Sequence, residues 1–309
     1  MDISVVIPVY GCANAIPELY TRLCQNLECI TKSYEIVLVE DGCPQNSWRE
    51  ITKICEKDEK VKGIRLSRNF GQMKAILAGL ECSSGDMVVV MDCDLQDRPE
   101  AIVDLYHKLQ EGYDTVFAIR ENRKDNFLTK FLSYCFYRVY NYFTDGVYDN
   151  KIGNFSISRR KVIDAYCRMR EQNRAFGMFI RWIGFQTGTI EVESDKRFSG
   201  TSSYSFSKKI KLALEIIITQ SNKPLHFSIS VGFLIAFFSA CYIAYLIFRV
   251  LCIGDTPVGW TTIVASIYLI GGILLCAIGI VGVYIGNIFN ETKHRPLYII
   301  RSYLNKGDH

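Results

Sequence analysis

Two uncharged runs constrain this chain more than anything else in it: "LHFSISVGFLIAFFSACYIAYLIF" at 225–248 and "WTTIVASIYLIGGILLCAIGIVGVYIGNIF" at 260–289. Each exceeds the roughly 20 apolar residues needed to cross bilayer hydrocarbon. A soluble core helix seldom runs so long without charge, and two such runs side by side make that reading poor. The loop between them, "RVLCIGDTPVG", is short. Lys208, Lys209, Lys211 and Lys223 precede the pair, and Lys293, Arg295, Arg301 and Lys306 follow it. An excess of lysine and arginine marks the cytoplasmic side, so the runs are expected to form a hairpin in the inner (plasma) membrane with both termini cytoplasmic. Gly282 and Gly286 form a small-xxx-small pair of the kind that packs spans together.

The segment before the hairpin, 204–224, sets lysines beside Ile210, Leu212, Leu214, Ile217 and Ile218 and reads as a basic amphipathic helix leading to the bilayer. Residues 127–143, "FLTKFLSYCFYRVYNYF", read as an aromatic helix, either core or interfacial, since tyrosine and phenylalanine suit the headgroup boundary. Residues 290–309 read as a cytoplasmic tail.

The first 120 residues have another rhythm. Runs 3–9, 35–40, 61–67, 86–92 and 114–119 are apolar on both faces, as in buried parallel strands. Helical segments at 14–30, 46–58, 71–82 and 99–111 lie between them, with Pro99 suited to a first turn. Strand–helix alternation implies a doubly wound α/β sheet, whose ligands bind beyond the carboxyl ends of the strands. Glu40 and Asp41 follow the second strand, and Asp92 and Asp94 follow the fourth, all at that edge. The opening "MDISVVIPVY" reads as a first strand and not a signal peptide. The twelve cysteines include no C-x-x-C pair and several lie in apolar runs, which reads as buried reduced thiols in a reducing compartment. A net charge of +4, with scattered basic residues, excludes nucleic acid as an expected partner. The first strand-turn, "PVYGCANA", is not the G-x-G-x-x-G of a dinucleotide site.

"SVVIPVYG", "EIVLVEDGCPQNSW", "LSRNFGQMKAILAGL", "MDCDLQDRPE" and "RFSGTSSYSFSKKIKLAL", with the two terminal spans, resemble glycosyltransferase family 2 across nearly the whole chain. The combination is similar to polyprenyl-phosphate glycosyltransferases with a membrane hairpin. The resemblance implies a GT-A (Rossmann-like) catalytic domain over 1–203 with a DxD motif. It also implies inverting transfer of one sugar from a UDP- or GDP-type donor to undecaprenyl phosphate, in cell-envelope glycan or O-antigen modification. Homo-oligomers, tetramers among them, go with it.

A hard cation, Mg2+ or Mn2+, suits carboxylates and a departing diphosphate. By resemblance Asp94 takes the metal, and Asp92 takes the nucleotide or shares the metal. Gln96 and Asp97 contact donor or acceptor, while Pro8, Tyr10, Glu40 and Asp41 line the nucleobase pocket. Relatives commonly carry two aspartates where this chain has Glu40–Asp41. Arg120, Arg123 and Arg197, with Ser202 and Ser203, are candidates to hold the acceptor phosphate, the arginine fork matching its oxygens. Asn154, in "GNFSISRR", stands where many relatives have aspartate, and asparagine cannot serve as a base. An acceptor phosphate is already ionised near neutral pH, its second pKa being about 6, so no base is demanded. "MFIRW" carries Arg181–Trp182 as in a polysaccharide synthase's Q-x-x-R-W, but Met178 replaces the glutamine and two spans are too few for an export channel. Intact Asp92 and Asp94 argue against a non-catalytic scaffold.

Overall fold

β-Branched runs that are apolar on both faces cannot be left against water on either side, and the first two strands show the result. β1 (Ile3–Val9) and β2 (Tyr34–Glu40) are buried at every residue. A computed structural model of the chain describes residues 1–120, 138, 152–193, 223–253 and 259–305. β3 (Val61–Leu66) pairs parallel with β2, and β4 (Met87–Val90) pairs parallel with β1. Four helices cover these strands: α1 (Ile16–Glu28), α2 (Ser47–Cys55), α3 (Gln72–Glu81) and α4 (Ala101–Gln110). Ile16, Leu19, Ile51 and Leu105 belong to one hydrophobic core cluster with β1 and β2 residues, while Ala75, Ile76 and Leu77 belong to another. α3 lies so close to β1 and β2 that a Cβ on Gly79 would stand 2.4 Å from Val6 Cγ1, so that position admits no side chain without a shift.

The rest of the sheet departs from the all-parallel expectation. β5 (Thr115–Arg120) does not join β4; β6 (Ile152–Arg159) lies between them, antiparallel to both. α5 (Arg160–Arg168), α6 (Phe176–Trp182) and β7 (Thr187–Val192) follow, and β7 pairs parallel with β5. β6 lacks the both-face apolar run of β1 to β5, because Ser156 and Ser158 alternate with Phe155 and Ile157 and are buried all the same, Ser158 Oγ accepting from Thr115 Oγ1 (2.9 Å). The eighth strand, β8 (Ile300–Leu304), runs antiparallel on β3 and completes the order β7-β5-β6-β4-β1-β2-β3-β8. These residues were expected in a tail. They are fastened instead: Leu297 is buried, the Tyr298 hydroxyl donates to Glu81, and Asn305 Nδ2 donates to the carbonyls of Cys55 (2.7 Å), Val61 (2.9 Å) and Asp58 (3.2 Å).

The chain divides into two compact units, one containing the sheet and resuming at Arg295, the other holding Ser205–His294. In the second unit, α7 (Lys223–Ile253) and α8 (Trp260–Thr292) are long and apolar enough to cross a membrane. At 1.5 Å per residue, 31 and 33 residues extend about 46 and 50 Å. Phe233, Tyr268 and Leu275 are exposed, as lipid-facing side chains would be. Among the described residues, a Cβ on Gly282 or Gly286 would meet nothing within 4 Å. The expected helices at 127–143 and 204–224 lie outside the described residues, Arg138 and the two last positions of the second aside.

Candidate active site

Parallel pairing brings the turns after β1, β2 and β4 to one edge. Val9 is in register with Glu40, the Asp41 N–H donates to Val9 O (3.1 Å), and the Met91 N–H donates to Val6 O (3.2 Å). Pro8 is buried in β1, and Tyr10, just beyond it, is 55% exposed. Glu40 and Asp41 are both buried, but they face different neighbours. Glu40 is in register with Arg65 of β3 and accepts from its Nε (3.1 Å) and from the Cys43 N–H (2.5 Å). The longer acid at this position is thus engaged within the sheet edge. Asp41 turns to the loop before α3, taking the Phe70 N–H on Oδ1 (2.7 Å) and the Gly71 N–H on Oδ2 (2.9 Å). Burial pushes the Asp41 carboxyl above its ordinary range, with those two hydrogen bonds pulling the other way. Gly42 is required here: its φ is +65°, and a Cβ would lie 2.5 Å from Asn69 N.

β4 ends at Val90, and the chain beyond it alternates. Met91, Cys93, Leu95 and Asp97 are buried, while Asp92, Asp94 and Gln96 are half-buried. This places the two acids of the D-x-D on the more open side of the segment. The Gln96 N–H donates to Asp94 Oδ1 (3.1 Å), closing a turn in which Leu95 has φ +59°, and Gln72 Nε2 donates to Asp92 Oδ1 (2.7 Å). Sequence reasoning did not single out Gln72, although it lies within a motif quoted for the resemblance. Arg120 ends β5, and its side chain, with all of Arg123, Arg197, Ser202 and Ser203, lies outside the described residues.

The cysteines correct another expectation. Cys12 and Cys93 form a disulfide, 81 residues apart in sequence, with Cα atoms 6.3 Å apart. Sequence spacing could not show this pair, because the adjacency of β1 and β4 creates it. It ties the β1 turn to the residue between Asp92 and Asp94. Close by, Cys43 Sγ accepts from the Gly11 N–H (3.2 Å) and the Ser47 hydroxyl (3.0 Å). Burial works to raise the Cys43 pKa, but Ser47 and the surrounding N–H groups stabilise the thiolate and hold it below the ordinary value.

The sequence model described as "Glycosyl transferase family 2" matches residues 4–167, which contain this whole edge. The chain belongs to glycosyl transferase family 2. It is 36% identical over 299 residues to "Uncharacterized glycosyltransferase YkcC" of Bacillus subtilis (strain 168), covering 96% of this chain and 93% of that protein. It is 34% identical over 307 residues to the "Bactoprenol glucosyl transferase" of Shigella phage SfV, covering 99% and 100%. The fold resembles S. aureus TarS 1–349 in complex with UDP-GlcNAc, with TM-score 0.50 and 17% identity over 71% of this chain and 66% of that one. It also resembles glucosyl-3-phosphoglycerate synthase from Mycobacterium tuberculosis, solved with Mn2+, UDP and phosphoglyceric acid, with TM-score 0.50 and 14% identity over 70% and 76%. This family 2 chain is a glycosyltransferase with a GT-A sheet and two candidate membrane helices.

Among the described residues of this family 2 enzyme, no three of His, Cys, Asp and Glu gather as a metal cluster. Asp92 and Asp94 offer hard oxygens alone, a set suited to Mg2+ or Mn2+ only when diphosphate and water complete the shell. Asn154 lies half-buried in β6. An amide there takes no proton, so the geometry supplies no base at that position.

Proposed function

We propose that this enzyme transfers one sugar, with inversion, from a UDP- or GDP-sugar to a polyprenyl phosphate at the cytoplasmic membrane face. The observation that carries the reading is the placement of the acid-bearing edge in a unit whose chain leaves for two membrane-length helices and returns as β8. A relative matched over its whole length is named for bactoprenol glucosyl transfer, so a glucosyl donor is the first to test. The domains read as 1–203 catalytic, 204–224 juxtamembrane and 225–289 hairpin, with the C-terminal residues rejoining the sheet unit.

Each group has a stated task. Asp94 holds the divalent ion, and Asp92 faces the nucleotide ribose or shares the ion. A bound Mg2+ or Mn2+ offsets the charge that builds on the departing diphosphate. Tyr10 and Asp41 border the base, Asp41 chiefly through the loop it holds. Gln96 and Asp97 contact donor or acceptor. Arg120, Arg123 and Arg197, with Ser202, aim the acceptor phosphate, whose own charge makes it the nucleophile without help from Asn154.

The test is purified full-length protein with undecaprenyl phosphate, Mn2+ and a panel of UDP- and GDP-sugars. The expected product partitions into chloroform–methanol and releases its sugar in mild acid. Asp94→Asn abolishes turnover while leaving the thermal midpoint in place. Polymeric product would indicate a synthase, and absence of transfer to the lipid phosphate from every donor would end the proposal.

A further inference from the structure

We propose that Gln72 is a positioning residue that sets the orientation of Asp92 and couples it to the loop held by Asp41. The inference rests on the reading of this edge as the donor site and deepens it. Residues Ser67–Gln72 form a short bridge between three parts of the sheet unit. At one end the Ser67 N–H donates to Ile299 O (2.8 Å), just before β8. In the middle Asn69 Nδ2 donates to Asp41 O (3.1 Å), and the Phe70 and Gly71 N–H groups take the Asp41 carboxylate. At the far end Gln72 Nε2 reaches Asp92 Oδ1 at 2.7 Å.

Packing does not account for Gln72. It is solvent-exposed at the first position of α3, whereas that helix buries Ala75, Ile76, Leu77, Ala78 and Leu80. Its partner is a half-buried carboxylate in the turn that carries the D-x-D. A hydrogen bond to a carboxylate fixes which oxygen is presented elsewhere, and charge-assisted bonds are the stronger and more directional ones. Gly71 sets the direction of approach. Its φ of +94° lets the chain turn from the Asp41 contact into α3 within one residue. Nucleobase-side and phosphate-side acids are thereby linked through four consecutive residues, Asn69 to Gln72. Gln72 itself is not required to touch substrate.

The test is calorimetric titration of UDP and of GDP, each with Mn2+, into full-length wild type, Gln72→Ala and Gln72→Glu, with donor KM and kcat measured alongside. Both substitutions are expected to weaken binding of the preferred nucleotide by about ten-fold, the low end for a hydrogen bond to a charged group because the site is exposed. Donor KM should rise more than kcat falls, with thermal midpoints unchanged. Gln72→Glu keeps shape and loses the donor, so it separates orientation from packing. Wild-type affinity in Gln72→Glu, or unaltered KM in both variants, would overturn the assignment and leave the donor-site reading intact. Failure of the wild type to bind either nucleotide would overturn both.

Discussion

Asp41→Asn tests whether Asp41 serves first as the anchor of the Ser67–Gln72 bridge. The carboxylate accepts two backbone N–H groups, one on each oxygen, at 2.7 and 2.9 Å, from a buried position. Hydrogen bonds to a charged acceptor contribute about 1.5–3 kcal/mol each. Asparagine keeps one accepting oxygen and turns an NH2 group toward the other N–H. One bond is lost and a donor–donor contact replaces it, so the loop should open more easily by about 2 kcal/mol. At 1.4 kcal/mol per tenfold, that is a factor of about 30 in the open population.

Hydrogen exchange followed by mass spectrometry on the full-length protein reads this directly, since exchange from a locally opened state reports the local free energy. The peptide holding Phe70 and Gly71 should exchange about 30-fold faster, while a peptide within β1 keeps its protection. Unchanged exchange at Phe70 and Gly71 would refute the anchoring role.

Two further perturbations probe the scaffold. Glu35 is fully buried and accepts from Ser4 Oγ (2.6 Å) and the Ser84 N–H (2.5 Å), with Lys62 Nζ at 2.6 Å. Burial alone would raise its pKa, but Lys62, Ser4 and Ser84 together lower it, so its stabilisation is present above the ordinary carboxyl value and lost as pH falls through the folded one. Glu35→Gln should cost about 3 kcal/mol at neutral pH, at the low end for breaking a buried pair, and the deficit in urea unfolding should shrink on acidification. In protein purified without reductant, alkylation and peptide mapping should recover Cys12 linked to Cys93 while exposed Cys29 labels; labelling of both Cys12 and Cys93 would contradict the bridge.

Much of this was legible in the sequence because it depends on local pattern. Both-face apolar runs mark β1 to β5 within a residue or two at most ends, and uncharged length marks α7 and α8. The acids after β2 and β4 were legible as an edge, because the carboxyl ends of parallel strands lie together. What was not legible depends on contacts between distant segments. The insertion of β6 beside β4, the return of β8 to β3 and the Cys12–Cys93 bridge have no local signature. Glu40 shows the same limit. Its residue type fits a ligand pocket, and only the register with Arg65 shows where its carboxylate is engaged. Gln72 resembles any exposed glutamine at a helix start until the position of Asp92 is known.

The pairing of β8 with β3 bears on topology independently of loop charge. β3 precedes the two apolar helices in the chain and β8 follows them, yet the two strands share backbone hydrogen bonds in one sheet. A sheet has its polar backbone satisfied by its neighbours and cannot be divided across hydrocarbon. If α7 alone crossed the bilayer, or α8 alone, Ile300–Leu304 would lie on the opposite side from Val61–Leu66 and the pairing could not form. Both cross, then, or neither does, and the length and apolar composition of the two helices favour crossing. The low amphipathicity of both helices argues the same way: apolar side chains all round a helix call for lipid all round it. The strand that completes the sheet therefore favours an even number of crossings over an odd one.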